Sequence, residues 1–186
     1  LPGEQRKMPG DAWQGVFKSY DGGQTWKSYL MPGYPQDTSA DGLSSAAQFR
    51  ELDGTARYNA AADSVVRAGT DGMFYFAGIV FKRGTSDGRI VLNRFIDLNN
   101  KEGGDPMAGT DSIRWIDAKV IDQGGTYFAD KPWIAVDVPR AGALTCNIQK
   151  FGRSFQGGAI FVAWARLYSD TYADIMFSRS LDCGET

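Results

Sequence analysis

The sequence has 186 residues, the length of one ordinary domain, and 42% of them are hydrophobic and 13% aromatic, which is enough to build a core. A net charge of −2 lacks the basic excess that nucleic-acid binding usually needs, so we expect no nucleic-acid partner. No apolar run reaches the ~18 residues of a membrane-spanning helix. The chain has no histidine and two cysteines, which excludes a Ser-His-Asp triad and a zinc cluster within it, and we expect no metal or cofactor.

The first recognisable element is a hairpin around the stretch SYDGGQTW at 19–26. Runs that read as strands flank it, at 14–19 and 25–31. Asp21 supplies an acceptor for backbone N–H groups, and Gly22 and Gly23 tolerate positive φ, so the stretch predicts a tight turn. Trp26 is expected to bury a large apolar face beside the turn. We interpret this hairpin as a structural device rather than an active site.

The same pattern, S-x-D-x-G-x-T, returns at 180–186, and a weaker echo at 94–99 keeps Asp97 without the serine and glycine. The pattern resembles the Asp-box of the BNR-repeat families, which include sialidases, sortilin-type receptors and some endoglucanases. The resemblance implies a turn between the third and fourth strands of a β-propeller blade, with a structural role. The residues that match the box are Ser19, Asp21, Gly23, Thr25 and Trp26 in the first copy and Ser180, Asp182, Gly184 and Thr186 in the second.

Strand-like segments recur in the same order between the boxes. The sequence therefore predicts an all-β fold, part of an Asp-box, sialidase-like β-propeller with four-stranded antiparallel blades. Residues 14–31 would end one blade, 61–122 would form a full blade, and 130–186 would form most of a third. Turn formers fill 32–56, with room for a short helix at 43–52, and the connection between 134 and 159 is expected to be a loop.

Candidate ligand residues lie where the innermost strands of the predicted blades begin, at the rim that binds ligands in related propellers. Asp63 and Asp130 are expected at matching positions there, either to hold a sugar hydroxyl, a cation or a water, or to accept backbone N–H groups at the strand start. Lys131, Arg57, Arg83 and Tyr168 are expected on or near the same rim. Their donors and flat aromatic faces suit a carbohydrate.

A complete catalytic set is not recognisable in this chain. The resemblance to sialidases implies an arginine triad, a Tyr–Glu pair and an aspartate acid–base, which these residues do not supply as a motif, so the catalytic residues stay unknown. Cys146 and Cys183 would lie on one rim of the third blade, where a disulfide is the favoured arrangement and free thiols the alternative. The acidic run 97–105 offers oxygen ligands without the spacing of a calcium loop, and we expect a solvated turn.

The sequence thus predicts a secreted, extracellular or periplasmic BNR-repeat propeller that acts as a binding or assembly module. The alternative is part of a sialidase-like glycoside hydrolase whose catalytic residues lie mostly outside this chain. The expected partners are the remaining propeller blades, from the same chain or from other chains, and a carbohydrate. These two hypotheses differ in whether the chain itself performs chemistry.

Overall fold

The computed structural model describes residues 12–19, 21–46, 48–98 and 113–186. These residues form eleven β-strands, one short α-helix and one 3-10 helix, which confirms the all-β class. The elements are β1 (Gly15–Lys18), β2 (Lys27–Leu30), α1 (Ala40–Ser44), β3 (Ala60–Ala68), β4 (Met73–Phe81), β5 (Gly88–Asp97), β6 (Ile113–Gln123), β7 (Phe128–Val136), β8 (Thr145–Ile148), the 3-10 helix (Gln149–Phe151), β9 (Arg153–Gln156), β10 (Ile160–Ser169) and β11 (Tyr172–Ser180).

The described strands form four antiparallel sheets. The largest has the order β3-β4-β5-β6, in which each strand pairs with the next along the chain. A three-stranded sheet has the order β7-β10-β11, and two hairpins, β1-β2 and β8-β9, form two-stranded sheets. Short connections join β3 to β4, β4 to β5 and β10 to β11, whereas the paired strands β7 and β10 are separated by the stretch that contains β8 and β9.

The four-stranded sheet lies at the centre because both of its faces are apolar. One face, with Ile79, Ile90 and Leu92, packs against Ile134 and Val162 of the three-stranded sheet. The other face packs against β1-β2 and the connection 31–59, through the buried side chains Phe76, Val91, Phe95, Met31, Phe49 and Tyr58. Strands β4 and β5 are buried along almost their whole length, which explains why both read as continuous apolar runs in the sequence.

The first strands of the two larger sheets, β3 and β7, contain equivalent β-bulges. In β3, Asp63 and the residue after it lie opposite a single residue of β4, and in β7, Lys131 and the residue after it lie opposite a single residue of β10. Asp63 and Lys131 both have positive φ, at 53° and 54°. The bulges therefore align Asp63 with Lys131 and Asp130 with Ala62, so the predicted match of Asp63 with Asp130 was wrong by one residue.

The connections differ from the prediction in two places. The stretch between 134 and 159 contains the hairpin β8-β9 where a loop was expected. The short helix begins at Ala40, earlier than predicted, because Ser39 caps it by accepting the Gly42 N–H at 3.0 Å. Among the described helices, none is long and apolar enough to cross a membrane.

Candidate functional site

Three of the predicted ligand residues meet at the paired bulges, which we call the bulge site (Asp63, Asp130 and Lys131). The Lys131 ammonium lies 2.8 Å from Asp63 Oδ2 and 3.4 Å from Asp130 Oδ2. The hydrogen bond from Lys131 lowers the pKa of the Asp63 carboxyl, and the same bond raises the pKa of Lys131. Because β3 and β7 lie side by side, the two bulges present these charges on one surface.

The bulge site borders a shallow groove of about 260 Å³, lined by Asp63, Ser64, Val65, Lys131, Pro132 and Trp133. The indole of Trp133 is 63% exposed, and the Arg67 guanidinium lies 5.1 Å from its ring centroid. An exposed aromatic face beside an ammonium and a charged carboxylate can hold a ligand that has both apolar and hydroxyl surfaces. With its lowered pKa, Asp63 suits the role of hydrogen-bond acceptor rather than proton donor.

Asp130 also accepts a backbone N–H group, which was the second of the two roles considered for it from the sequence. Its Oδ1 accepts the N–H of Lys131 at 2.8 Å, and the residue is only 8% exposed. This bond supports the positive φ of Lys131 at the bulge. The carboxylate therefore fixes the bulge with one oxygen and faces the Lys131 ammonium with the other.

The other three predicted residues do not join the bulge site. Arg57 donates to the carbonyl oxygens of Tyr34 and Asp37, at 3.0 and 2.9 Å, and so braces the connection 31–59. The Arg83 guanidinium lies 5.4 Å from the ring centroid of Phe81. Tyr168 lies within a cluster of tyrosines beside the β10-β11 turn. Arg57 and Arg83 lie in two different connections and Tyr168 lies in β10, so separate parts of the chain carry these residues.

The two S-x-D-x-G-x-T turns have the same internal geometry. Asp21 Oδ2 accepts the Thr25 hydroxyl at 2.6 Å, and Asp182 Oδ2 accepts the Thr186 hydroxyl at 2.6 Å. In both turns the serine hydroxyl donates to Oδ1 of the aspartate and accepts the glycine N–H, and the equivalent distances agree within 0.1 Å. Oδ1 of each aspartate also accepts the backbone N–H groups three and four residues later, so the carboxylate satisfies the donors of its own turn, which is a structural role.

Trp26 differs from the prediction that it buries a large apolar face. Its side chain is 61% exposed, and its indole N–H donates to the Gly23 carbonyl at 2.9 Å. The described β1-β2 hairpin has two strands and leaves one side open, so the ring lies over its own turn instead of entering a core. The weaker echo is described only up to residue 98, and the acidic run 97–105 lies mostly outside the described residues.

Lys18 and Arg94 stand just before the serine position of the first turn and of the weaker echo, and both link their sheet to the turn region of the next sheet. Lys18 of β1 forms an ion pair with Asp97 at the end of β5. Arg94 of β5 is 2% exposed and donates to the Cys183 carbonyl at 3.1 Å and to Glu185 at 2.5 Å. Arg94 also binds Asp117 of β6 through two nitrogens. The same position therefore makes the same kind of connection twice.

Cys146 and Cys183 are joined by a disulfide, which is the pairing favoured from the sequence. Both cysteines are buried, and a Cβ at Gly157 would overlap both sulfur atoms, so the glycine leaves the room that the bond needs. The bond ties the β8-β9 hairpin to the second turn. A polar cleft of about 530 Å³ lies between this hairpin, strand β6 and the end of strand β5.

No motif in the sequence indicates this cleft, because one of its walls is a hairpin in a stretch that reads as a loop. In the part of the chain that the structure describes, no group of three or more His, Cys, Asp and Glu side chains could hold a metal ion. No protein-family model matches the chain, and comparison with curated proteins and with solved structures finds no significant match.

Proposed function

We propose that this chain is part of an extracellular Asp-box β-propeller and acts as a binding and assembly module. One observation carries the proposal, namely an apolar face of the three-stranded sheet that points away from the four-stranded sheet. We call it the far face, and its members are the apolar Phe161, Ile175 and Phe177 together with the cation Arg179. Ile175 is 79% exposed and Phe177 is 64% exposed. Exposed apolar surfaces of this kind mark interaction sites.

Strand register supports the equivalence of the far face with a buried face. The bulges align β3 with β7, and the ladders then place Ile175 at the position of Ile90 and Phe177 at that of Leu92. Ile90 and Leu92 are at most 1% exposed because the three-stranded sheet covers them. A further four-stranded sheet, packed on the far face in the same way, would give Ile175 and Phe177 the same environment.

The outer edge of β11 supports the same conclusion. The equivalent strand β5 pairs with β6, whereas β11 has no partner on that edge among the described strands. A row of unpaired N–H and C=O groups beside an apolar face is a strong template for another strand. We therefore propose that the partner supplies both a strand for the edge and a sheet for the face.

Arg179 fits this arrangement as the third member of a series. It occupies the position of Lys18 and Arg94, just before a box serine, and it points from the far face. Lys18 and Arg94 each reach the turn region of the next sheet. We expect Arg179 to bind an acceptor of the turn in the sheet that covers the far face.

The alternative function, a part of a sialidase-like glycoside hydrolase, rests on the carboxylates and the ammonium of the bulge site. The lowered pKa of Asp63 favours binding over acid catalysis there. Hydrolysis of 4-methylumbelliferyl glycosides, sialosides included, distinguishes the two functions. We expect no turnover that depends on Asp63, and a loss of turnover in Asp63→Asn would favour the hydrolase instead.

The assembly function is tested by the mass of the chain in solution. Light scattering after size exclusion should show species larger than 20.3 kDa that grow with protein concentration, because the far face pairs with itself when no other sheet covers it. The double substitution Ile175→Ser with Phe177→Ser should return the chain to a monomer. The matched control is Val120→Ser, on β6 and 38% exposed, which should leave association unchanged. A wild-type chain that stays monomeric at all concentrations would contradict the proposal.

A further inference from the structure

Three tyrosines form a row along the rim where β10 turns into β11, and we call them the tyrosine strip (Tyr127, Tyr168 and Tyr172). Tyr127 precedes β7, Tyr168 lies near the end of β10, and Tyr172 begins β11, so the row crosses all three strands of the sheet. The ring centroids are 5.5 Å apart from Tyr127 to Tyr168 and 5.3 Å apart from Tyr168 to Tyr172. Exposure rises outward, to 41% at Tyr168 and 57% at Tyr172.

The inner end of the strip is held rigidly by a buried carboxylate. Asp122, at 7% exposure, accepts the Tyr127 hydroxyl at 2.8 Å, two Arg166 nitrogens at 2.8 Å each and the Trp164 indole N–H at 2.5 Å. The Arg166 guanidinium also lies 4.5 Å from the Tyr127 ring centroid. Burial acts to raise the pKa of Asp122, but these hydrogen bonds outweigh it and the pKa is lowered. The carboxylate therefore stays charged and fixes Tyr127 in one orientation.

The same rim of the four-stranded sheet is built differently. There the β4-β5 turn is covered by the connection 31–59, since Lys82 binds Glu51 at 2.8 Å and Asp87 accepts the Tyr58 hydroxyl at 2.5 Å. Tyr168 and Tyr172 occupy the corresponding positions at the ends of β10 and β11. The tyrosines of the three-stranded sheet are therefore exposed at positions that the connection 31–59 covers in the four-stranded sheet.

The chemistry around the strip differs from that of the far face. The far face combines Ile and Phe side chains, which suits packing against protein. The strip combines phenol rings with neighbouring hydroxyls and carboxylates, since Ser169, Asp170, Thr171 and Asp174 surround the turn and Asp174 lies 3.2 Å from the Tyr172 hydroxyl. Aromatic faces beside acceptors and hydroxyls match a ligand that has apolar C–H faces and hydroxyl edges.

We propose that the tyrosine strip is a binding site for a neutral oligosaccharide or polysaccharide chain. A sugar ring stacks on the outer face of the Tyr172 ring, because the other face of the Tyr172 ring lies against Tyr168. The hydroxyls of the sugar reach Asp174 and the hydroxyls of the turn. The carboxylates of Asp170 and Asp174 repel acidic sugars, so the site takes neutral chains. This inference goes beyond the proposed assembly function and uses none of its residues.

Affinity electrophoresis of the 186-residue protein tests the proposal, in native gels that contain laminarin, xyloglucan, galactomannan, arabinoxylan, alginate or polygalacturonate. We expect at least one of the first four, which are neutral, to retard the protein, and the acidic alginate and polygalacturonate to leave its mobility unchanged. Tyr172→Ala should weaken the retarding interaction about tenfold, as expected when one stacking ring is lost. Tyr172→Phe should keep most of the affinity because it keeps the ring.

The matched control is Ile175→Ala, three residues along the same strand and on the far face, which should alter assembly and leave sugar affinity unchanged. Circular dichroism establishes that each variant is folded before it is compared. Failure of all four neutral polysaccharides to retard the protein would overturn the proposal, as would retardation by the acidic ones alone. Equal affinity of Tyr172→Ala and the wild-type protein for the polysaccharide would overturn it too. None of these results would change the light-scattering test of assembly through the far face.

Discussion

Asp182 shows how one carboxylate holds a turn. Burial acts to raise its pKa, but hydrogen bonds from Thr186 and Ser180 outweigh this and lower the pKa to about 2. In the first turn, the bond from Thr25 is the largest influence and lowers the pKa of Asp21 to about 2 as well. Each carboxylate is thus charged in the folded chain at a pH where a free aspartate would be half protonated.

A pH dependence follows from these lowered pKa values. A group whose pKa is lower in the folded state adds stability above its unfolded pKa, near 3.8, and this contribution is lost as the pH falls toward 2. We expect the free energy of unfolding to decline over that window, as measured by urea denaturation at a series of pH values. Asp182→Asn should flatten the decline. An unchanged decline in this variant would show that other carboxyls cause it.

Arg94 should contribute more to stability than any exposed cation of the chain. It is 2% exposed and binds Asp117, Glu185 and the Cys183 carbonyl. Arg94→Met therefore removes the two-nitrogen partner of the partly buried Asp117, which keeps only the Lys119 ammonium at 3.5 Å. We expect a loss of about 3 kcal/mol in the free energy of unfolding, measured by urea denaturation.

Arg179 provides the matched control, since it holds the equivalent position but has no partner among the described residues. Arg179→Met should change the stability of this chain by less than about 0.5 kcal/mol. Equal losses in the two variants would contradict the role assigned to Arg94.

At the scale of elements, the disulfide and the β8-β9 hairpin form one unit. The bond joins residues 37 apart in sequence and fastens the hairpin to the second turn. We expect Cys146→Ala with Cys183→Ala to cost about 4 kcal/mol in the chain-entropy estimate. Urea denaturation of this variant, and of the wild-type chain with and without reductant, measures the cost.

Thr70→Val is a control that removes a different attachment of the hairpin. It removes the bond from the Thr70 hydroxyl to the Gln156 carbonyl, at 2.9 Å, and should cost about 1 kcal/mol. If the cysteine variant were no less stable than Thr70→Val, the hairpin would be held by its other contacts instead of by the disulfide.

The elements differ in how far the sequence predicts them. Strands β4 and β5 are recognisable because burial on both faces makes them long apolar runs. Strands β8 and β9 have four residues each, so the alternation of polar and apolar residues in β8 is too short to distinguish a strand from a loop. The S-x-D-x-G-x-T turns are recognisable because all their hydrogen bonds are local.

The candidate site was predictable only in part, because it depends on bulges. The chemistry of Asp63, Asp130 and Lys131 was visible in the sequence, but the extra residue in each strand shifts which of them correspond. A bulge is set by pairing with the neighbouring strand, and sequence spacing alone does not show it. The link from Arg94 to Glu185, 91 residues away, is likewise a product of sheet packing.

At the scale of the whole molecule, each sheet covers the next through the same positions. The hairpin β1-β2 packs on the four-stranded sheet, and the four-stranded sheet packs on the three-stranded sheet, with Lys18 and Arg94 making corresponding links. The far face corresponds to the packed face of the four-stranded sheet, and Arg179 corresponds to Lys18 and Arg94. We therefore infer that another sheet covers the far face in the native protein.

Carbene footprinting with mass spectrometry reports whether such a sheet is present. Labelling of Ile175 and Phe177 is compared between the protein isolated from its natural source and the separate 186-residue chain held at low concentration, with Leu43, 60% exposed on α1, as the internal reference. We predict labelling of Ile175 and Phe177 several-fold lower in the native protein, at equal labelling of Leu43. Equal labelling of the two far-face residues in both samples would contradict the claim.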